Sequence, residues 1–166
     1  MLALGLLLAG CGKDPMQNLT PGEAVAYTVL AEYLQNITEP DQPLIHLNLC
    51  VEVALPDGGK VRDMAGLLQL LQANLPPGLS ATLVPLKDCR KFSDIGPYRL
   101  PDGTPAKIFF ASGNYEGDDI IPDLLHGEQV WEVGVICGKL CGIGSRYRVR
   151  FEDGRPIAIH SRDWLS

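Results

Sequence analysis

From Gln129 to Ile159 the chain alternates between apolar and polar residues. Trp131, Val133, Val135 and Cys137 fall on one side of a first strand, Tyr147, Val149 and Phe151 on one side of a second, and Ile157 and Ile159 on one side of a third. A period of two is the signature of strands with one buried face. The segments meet at Cys137-Gly-Lys-Leu-Cys141-Gly-Ile-Gly144 and again at Asp153-Gly154, so the run predicts a three-strand antiparallel meander. A further long strand is predicted over Leu44 to Leu55, with Ile45, Leu47, Leu49, Val51, Val53 and Leu55 on one side and His46, Asn48, Cys50 and Glu52 on the other. Shorter strands are expected over Ala81 to Leu86 and Lys107 to Ser112.

Two segments read as helices. Thr20-Pro21-Gly22-Glu23 has the form of a capping box with proline at the first helical position. The helix it opens runs to about Gln35, with Ala24, Val25, Tyr27, Val29, Ala31 and Leu34 on a broad apolar face. Asp63 is an N-cap for a second helix to about Asn74, carrying Leu67, Leu68, Leu70, Leu71 and Leu75. Helices early and strands late predict an α+β fold: a curved antiparallel sheet of about five strands with two helices packed on one face.

The amino terminus carries an address. Met1 to Ala9 is a short apolar stretch, and Leu8-Ala9-Gly10-Cys11 resembles the lipobox of bacterial lipoproteins. That resemblance implies a diacylglyceryl group on the Cys11 thiol, cleavage before Cys11 and acylation of the new amino terminus. It divides the chain into a signal peptide (1–10), a lipidated tether (11–19) and a single domain (20–166). The run is well short of the roughly 20 apolar residues a membrane-spanning helix needs. A signal peptide opens with Lys or Arg, and none precedes Lys13, so the true start is expected upstream of Met1. Gly12 in place of the retention residue Asp implies the outer membrane, facing the periplasm, in a Gram-negative cell.

Charge and cysteines narrow the partners. A net charge of −6 argues against nucleic-acid binding and against basic adhesion to anionic lipid. Beyond Cys11 stand Cys50, Cys89, Cys137 and Cys141, an even number in a chain bound for an oxidising compartment, so two disulfides are expected, with three possible pairings. Cys137 and Cys141 can be bridged if Gly138-Lys139-Leu140 forms a hairpin loop. Their three-residue spacing does not match a redox pair, and with His160 they lack a fourth zinc ligand.

Other constellations are weaker. His46 and Cys50, four residues apart on a strand, are roughly 13 Å from each other, too far for a dyad. Arg146, Arg148 and Arg150 form a basic stripe, read either as a solvated face balanced by Glu132, Glu152 and Asp153 or as ligand-binding residues for an anion. Glu116, Asp118, Asp119 and Asp123 lack the order of a calcium loop and read as solvated. The ending Cys-Gly-Lys-Leu-Cys-Gly-Ile-Gly, then Tyr147 and Asp163-Trp164-Leu165-Ser166, resembles exported bacterial proteins with a Gly-x-Leu-x-Gly-x-Gly…Trp-x-Ser ending, some similar to the nuclear-transport-factor-2-like superfamily. That likeness implies a cone of curved sheet wrapped by helices.

No catalytic residue set, cofactor or metal is predicted. The expectation is a monomeric, lipid-anchored cell-envelope protein with a binding or accessory role, held to the membrane through Cys11 and meeting an envelope protein or small ligand through its sheet and the Cys137 to Gly144 loop. The alternatives are an envelope hydrolase or thiol-dependent enzyme with His46, His126 or His160 as base, and an inhibitor that inserts a stapled loop into a foreign envelope-attacking enzyme.

Overall fold

The computed structural model describes residues 16–38, 44–91, 98–114, 128–138 and 141–165. Helix α1 spans Pro21–Asn36 and starts at the expected capping box. The Thr20 hydroxyl accepts from the Glu23 amide at 3.2 Å, and the Glu23 carboxylate accepts from the Thr20 amide at 2.8 Å. Met16–Leu19, the last part of the expected tether, forms a turn closed by Leu19 N–H on the Met16 carbonyl. Its Met16 sulfur lies 3.9 Å from the Thr28 hydroxyl of α1. Helix α2 spans Met64–Ala73, and Asp63 caps it by accepting from the Gly66 amide.

The strands are β1 (Ile45–Ala54), β2 (Leu79–Pro85), β3 (Arg90–Lys91), β4 (Tyr98–Arg99), β5 (Pro105–Asn114), β6 (Gln129–Gly138), β7 (Cys141–Glu152) and β8 (Arg155–Leu165). The fold is α+β, with two helices and an eight-stranded sheet. The expected five-strand, all-antiparallel sheet is corrected in both respects. The main order is β2-β1-β5-β6-β7-β8, and β3 and β4 hang from β5. β1 is parallel to both β2 and β5, while β5 to β8 form an antiparallel meander and β3–β4 and β4–β5 also pair antiparallel. For β1 and β2 the cause is α2: a helix between two strands is a crossover, which returns the chain parallel to the strand it left.

Both helices pack on one face. Val29, Leu30 and Leu34 of α1 and Leu68 and Leu71 of α2 share a core with Leu49 and Val51 of β1, Phe109 of β5, Trp131 and Val133 of β6, and Tyr147 and Val149 of β7. Deleting such side chains to alanine costs about 2–5 kcal/mol each. The meander alternation holds through β6 and most of β7, but Phe151 is 43% exposed. In β8 the expected phase is inverted. Pro156 is buried and Ala158 packs on the core, while Ile157 and Ile159 face the other side opposite Arg150 and Arg148. The two-residue turn accounts for this, since it pairs Glu152 with Arg155 and therefore Arg150 with Ile157 and Arg148 with Ile159. Further along, Tyr147 pairs with His160 but Arg146 with Arg162, a bulge that leaves Ser161 as the extra residue and reverses the facing of the residues after it.

The far face carries a row in which Phe110, Gly134, Gly144 and Trp164 stand opposite one another across four strands. The Phe110 and Trp164 rings lie 6.0 Å apart across the two glycines. A Cβ at either glycine would overlap the Trp164 indole and neighbouring backbone. At the β7–β8 turn, Asp153 and Gly154 have φ of 50° and 78°, the left-handed pair that a tight hairpin needs and Asp-Gly supplies.

The cysteines pair as Cys50–Cys89 and Cys137–Cys141, with Cα separations of 6.2 Å and 5.3 Å. Gly138, rather than Cys137, stands opposite Cys141, so the second bridge runs diagonally beside the hairpin; Lys139 and Leu140 lie outside the described residues. Chain entropy makes the bridge that closes the longer loop worth about 4 kcal/mol and the hairpin bridge about 2 kcal/mol. Cys89→Ser is therefore expected to lose about twice the unfolding free energy that Cys141→Ser loses in oxidising urea melts.

Glu23 ties these parts together. Besides its capping bond, its carboxylate accepts the Arg62 amide at 2.6 Å, joining the start of α1 to the connection before α2. The side chain is 3% exposed. Burial alone would raise its pKa, but the hydrogen bonds from Thr20 and Arg62 hold it below its ordinary 4.5. A depressed folded pKa contributes stability that is complete above the unfolded value and lost as pH falls through the folded one. Glu23→Gln is expected to cost about 1–3 kcal/mol at neutral pH and to flatten the loss of stability below pH 4.5, measured by urea melts across that range.

Candidate functional site

A cleft of about 590 Å³ opens between the C-terminal half of α1 and the adjoining ends of β7 and β8. Its apolar boundary includes Ile37, Ile143 and Leu165, and its polar groups come from Glu32 and Asn36 on α1, Ser145 on β7, and His160 and Asp163 on β8. The β8 bulge is what assembles them. On a regular strand His160 and Asp163, three residues apart, would face opposite sides. With Ser161 bulged out, both face α1, and His160 Nε2 comes within 2.8 Å of Asp163 Oδ1. The Ser145 hydroxyl donates to the same oxygen at 2.7 Å.

Two buried tyrosines form the wall behind this cluster. The Tyr33 hydroxyl donates to the Ile143 carbonyl at 3.2 Å, and the Tyr147 hydroxyl accepts from the Asn36 amide at 3.2 Å. The Tyr147 ring meets the His160 imidazole edge-on. Burial pushes the Tyr33 pKa up to about 12, with added repulsion from Tyr147 and Asp163. Burial also raises that of Tyr147, where the Glu32 and Asp163 charges add to it against hydrogen bonds from Asn36 and Ser145. Bonds from Ser145 and His160 hold the Asp163 carboxyl below its ordinary 3.8. The carboxylate is thus ionised at neutral pH, and the field in the cleft is negative.

This arrangement contains Ser, His and Asp but not their catalytic order. In a nucleophilic triad the histidine stands between the hydroxyl and the carboxylate and takes the hydroxyl proton. Here Asp163 stands between Ser145 and His160. Ser145 is 6% exposed and donates its hydrogen bond to a carboxylate rather than to an imidazole. Among the described residues no Lys or Arg lines the cleft, which leaves His160 alone to face a developing oxyanion.

The other sequence candidates lie elsewhere. His46 faces the solvated side of β1, its Nδ1 2.7 Å from the Ser80 hydroxyl and its Nε2 3.2 Å from Asn48 Oδ1 and 3.4 Å from the Thr82 hydroxyl. Cys50, on that strand, is fully buried in its disulfide, and with Cys89, Cys137 and Cys141 also bridged these thiols are closed to catalysis and to zinc. Each stripe arginine has a carboxylate near it: Arg146 is bonded to Glu132 (Nε at 3.1 Å), Arg148 lies 4.0 Å from Glu128, and Arg150 lies 2.6 Å from Glu152. Cys11, His126 and the acids Glu116, Asp118, Asp119 and Asp123 lie outside the described residues. Among the described residues no three His, Cys, Asp or Glu side chains gather as a metal site, and no helix is long and apolar enough to cross a membrane.

Of the cleft's polar groups, sequence reading had singled out only His160. Glu32, Asn36, Ser145 and Asp163 sit on three different elements and form no local motif. Compared with protein-family models, with curated proteins and with solved structures, the chain finds no match in any of the three. Because Ser145 lacks a base, an alkyl fluorophosphonate is expected to leave it unmodified after prolonged incubation; a phosphonyl adduct on Ser145 by peptide mass spectrometry would show that the hydroxyl is activated.

Proposed function

We propose that this chain is a lipid-anchored protein of the cell envelope whose single domain binds a small ligand in the α1–β8 cleft and does no chemistry of its own. The observation that carries the binding reading is the cleft: its volume of about 590 Å³ falls in the range of small-molecule sites, which are apolar concavities with a few converging polar groups. The order Ser145–Asp163–His160 and the negative field weigh against hydrolysis, because acyl and phosphoryl transfer both build negative charge that this cleft would repel. The anchor rests on the Leu8-Ala9-Gly10-Cys11 motif.

The two halves of the proposal fit together spatially. From Cys11 to Met16 the chain can extend at most about 17 Å, so the anchor keeps the start of α1 close to the membrane. Glu32 lies about 17 Å further along the helix axis. The cleft therefore opens toward the end of α1 opposite the tether.

The test has two readouts. Protein recovered from its native membrane is expected to carry a diacyl or triacyl adduct on Cys11, with the other four cysteines alkylated only after reduction. The domain without its leader, screened with a fragment library by amide NMR, is expected to give hits that shift Glu32, Asn36, Ser145 and Asp163 together. An unmodified Cys11 removes the anchor, and hits confined to other surfaces remove the cleft.

A further inference from the structure

Building on the cleft as the binding site, we propose that its ligand is a small organic cation: an ammonium or guanidinium group flanked by an apolar moiety. Three observations converge on that class. The first is the supply of unpaired negative charge. Ser145 and His160 both bond to Oδ1 of Asp163, leaving Oδ2 without a hydrogen bond among the described residues, and the Asp163 side chain is 73% exposed. Glu32 likewise has no ion pair there, although it lies close enough to raise the pKa of the buried Tyr147. The second is the absence of competition among the described residues, where no Lys or Arg lines the cleft to neutralise these acids. Because the Asp163 side chain is exposed, its attraction for a cation is screened by water, so recognition needs both acids and the apolar contact together.

The third observation concerns the rest of the ligand. Ile143 is 50% exposed and Leu165 83% exposed at the lip of the cleft, so an apolar group attached to the cation would cover surface that the fold leaves wet. Anions are disfavoured on the same grounds. A carboxylate or phosphate would meet Glu32 and Asp163 with only His160 available to oppose them.

Three probes of matched shape test the class: phenethylammonium, 2-phenylethanol and phenylacetate, each titrated into the leaderless domain and followed by amide NMR. Phenethylammonium is expected to shift the Ser145 and Asp163 amides, to bind at least tenfold tighter than the alcohol, and to weaken with added salt. Phenylacetate is expected to leave those amides unmoved. Glu32→Gln and Asp163→Asn should each weaken the ammonium about fivefold. Glu32→Gln is the cleaner variant because the Glu32 side chain makes no bond among the described residues, and an unchanged amide spectrum of the free variant separates a shift in its Kd from misfolding. Equal affinity for ammonium and alcohol, or no effect of Glu32→Gln, would overturn charge recognition while leaving a cleft that binds apolar ligands. If none of the three probes shifts any cleft amide, even at millimolar concentration, the cation proposal fails, and the fragment screen then decides the cleft reading separately.

Discussion

Three large side chains with polar tips, Tyr33, Trp131 and Tyr147, are almost wholly removed from water, and the requirement that each tip keep a partner constrains the whole helical layer. A hydroxyl or indole N–H buried without a bond costs about 1–3 kcal/mol. Trp131 meets the requirement within its own strand, through Gln129 at 3.1 Å. The two tyrosines cannot. Tyr33 reaches from α1 to a β7 carbonyl, and Tyr147 reaches from β7 to Asn36 on α1, so the pair of bonds fixes the helix to one position over the meander. With Tyr33 also packed on Phe109 at 5.8 Å between ring centroids, α1 has little freedom to slide. The cleft lies alongside this double fastening, with Tyr33 and Asn36 in its wall.

Much of this fold was legible because its signals are local. The capping box, the proline at N1, the Asp63 cap and the period of two in β1, β6 and β7 each concern a few neighbouring residues, and both helices and all the long strands lie close to where those signals put them. Direction was harder to read. Alternation says that β1 is a strand but not which way its neighbours run, and Gln69 or Leu70 in α2 looks the same whether the helix is a crossover or an appendage. The order strand, helix, strand over Ile45 to Pro85 was the available clue to a parallel pair. The phase of β8 runs against its apolar pattern: Ile157 and Ile159 are more apolar than Pro156 and Ala158, yet the two-residue turn at Asp153-Gly154 sets them opposite Arg150 and Arg148 on the far face.

The bulge at Ser161 explains why the site escaped a sequence reading. Period-two reasoning separates His160 from Asp163, whereas the bulged strand puts them on one oxygen's hydrogen-bonding shell. Bulges concentrate where a strand must re-aim a side chain, and here the re-aimed residues are the two that define the chemistry of the cleft. Ser145 reads from sequence as a small residue between Gly144 and Arg146. Its role depends on Asp163 standing opposite it in the register, a long-range fact that no window of sequence contains.

Asp163 lies near the end of β8, the outermost strand on its side of the main path, a position where chains ordinarily fray. What holds it is on the opposite face. Trp164, the next residue, points away from the cleft and lays its indole over Gly134 and Gly144 against Phe110. Both glycines must lack a side chain for that to happen, which gives a physical reason for Gly134 on β6, Gly144 on β7 and a Trp 20 residues beyond the second. The clamp and the site are therefore successive residues of one strand, serving opposite faces. Packing on the far side sets the precision with which the carboxylate is presented on the near side, so a ligand that engages Asp163 draws part of its preorganisation from the Trp164 packing.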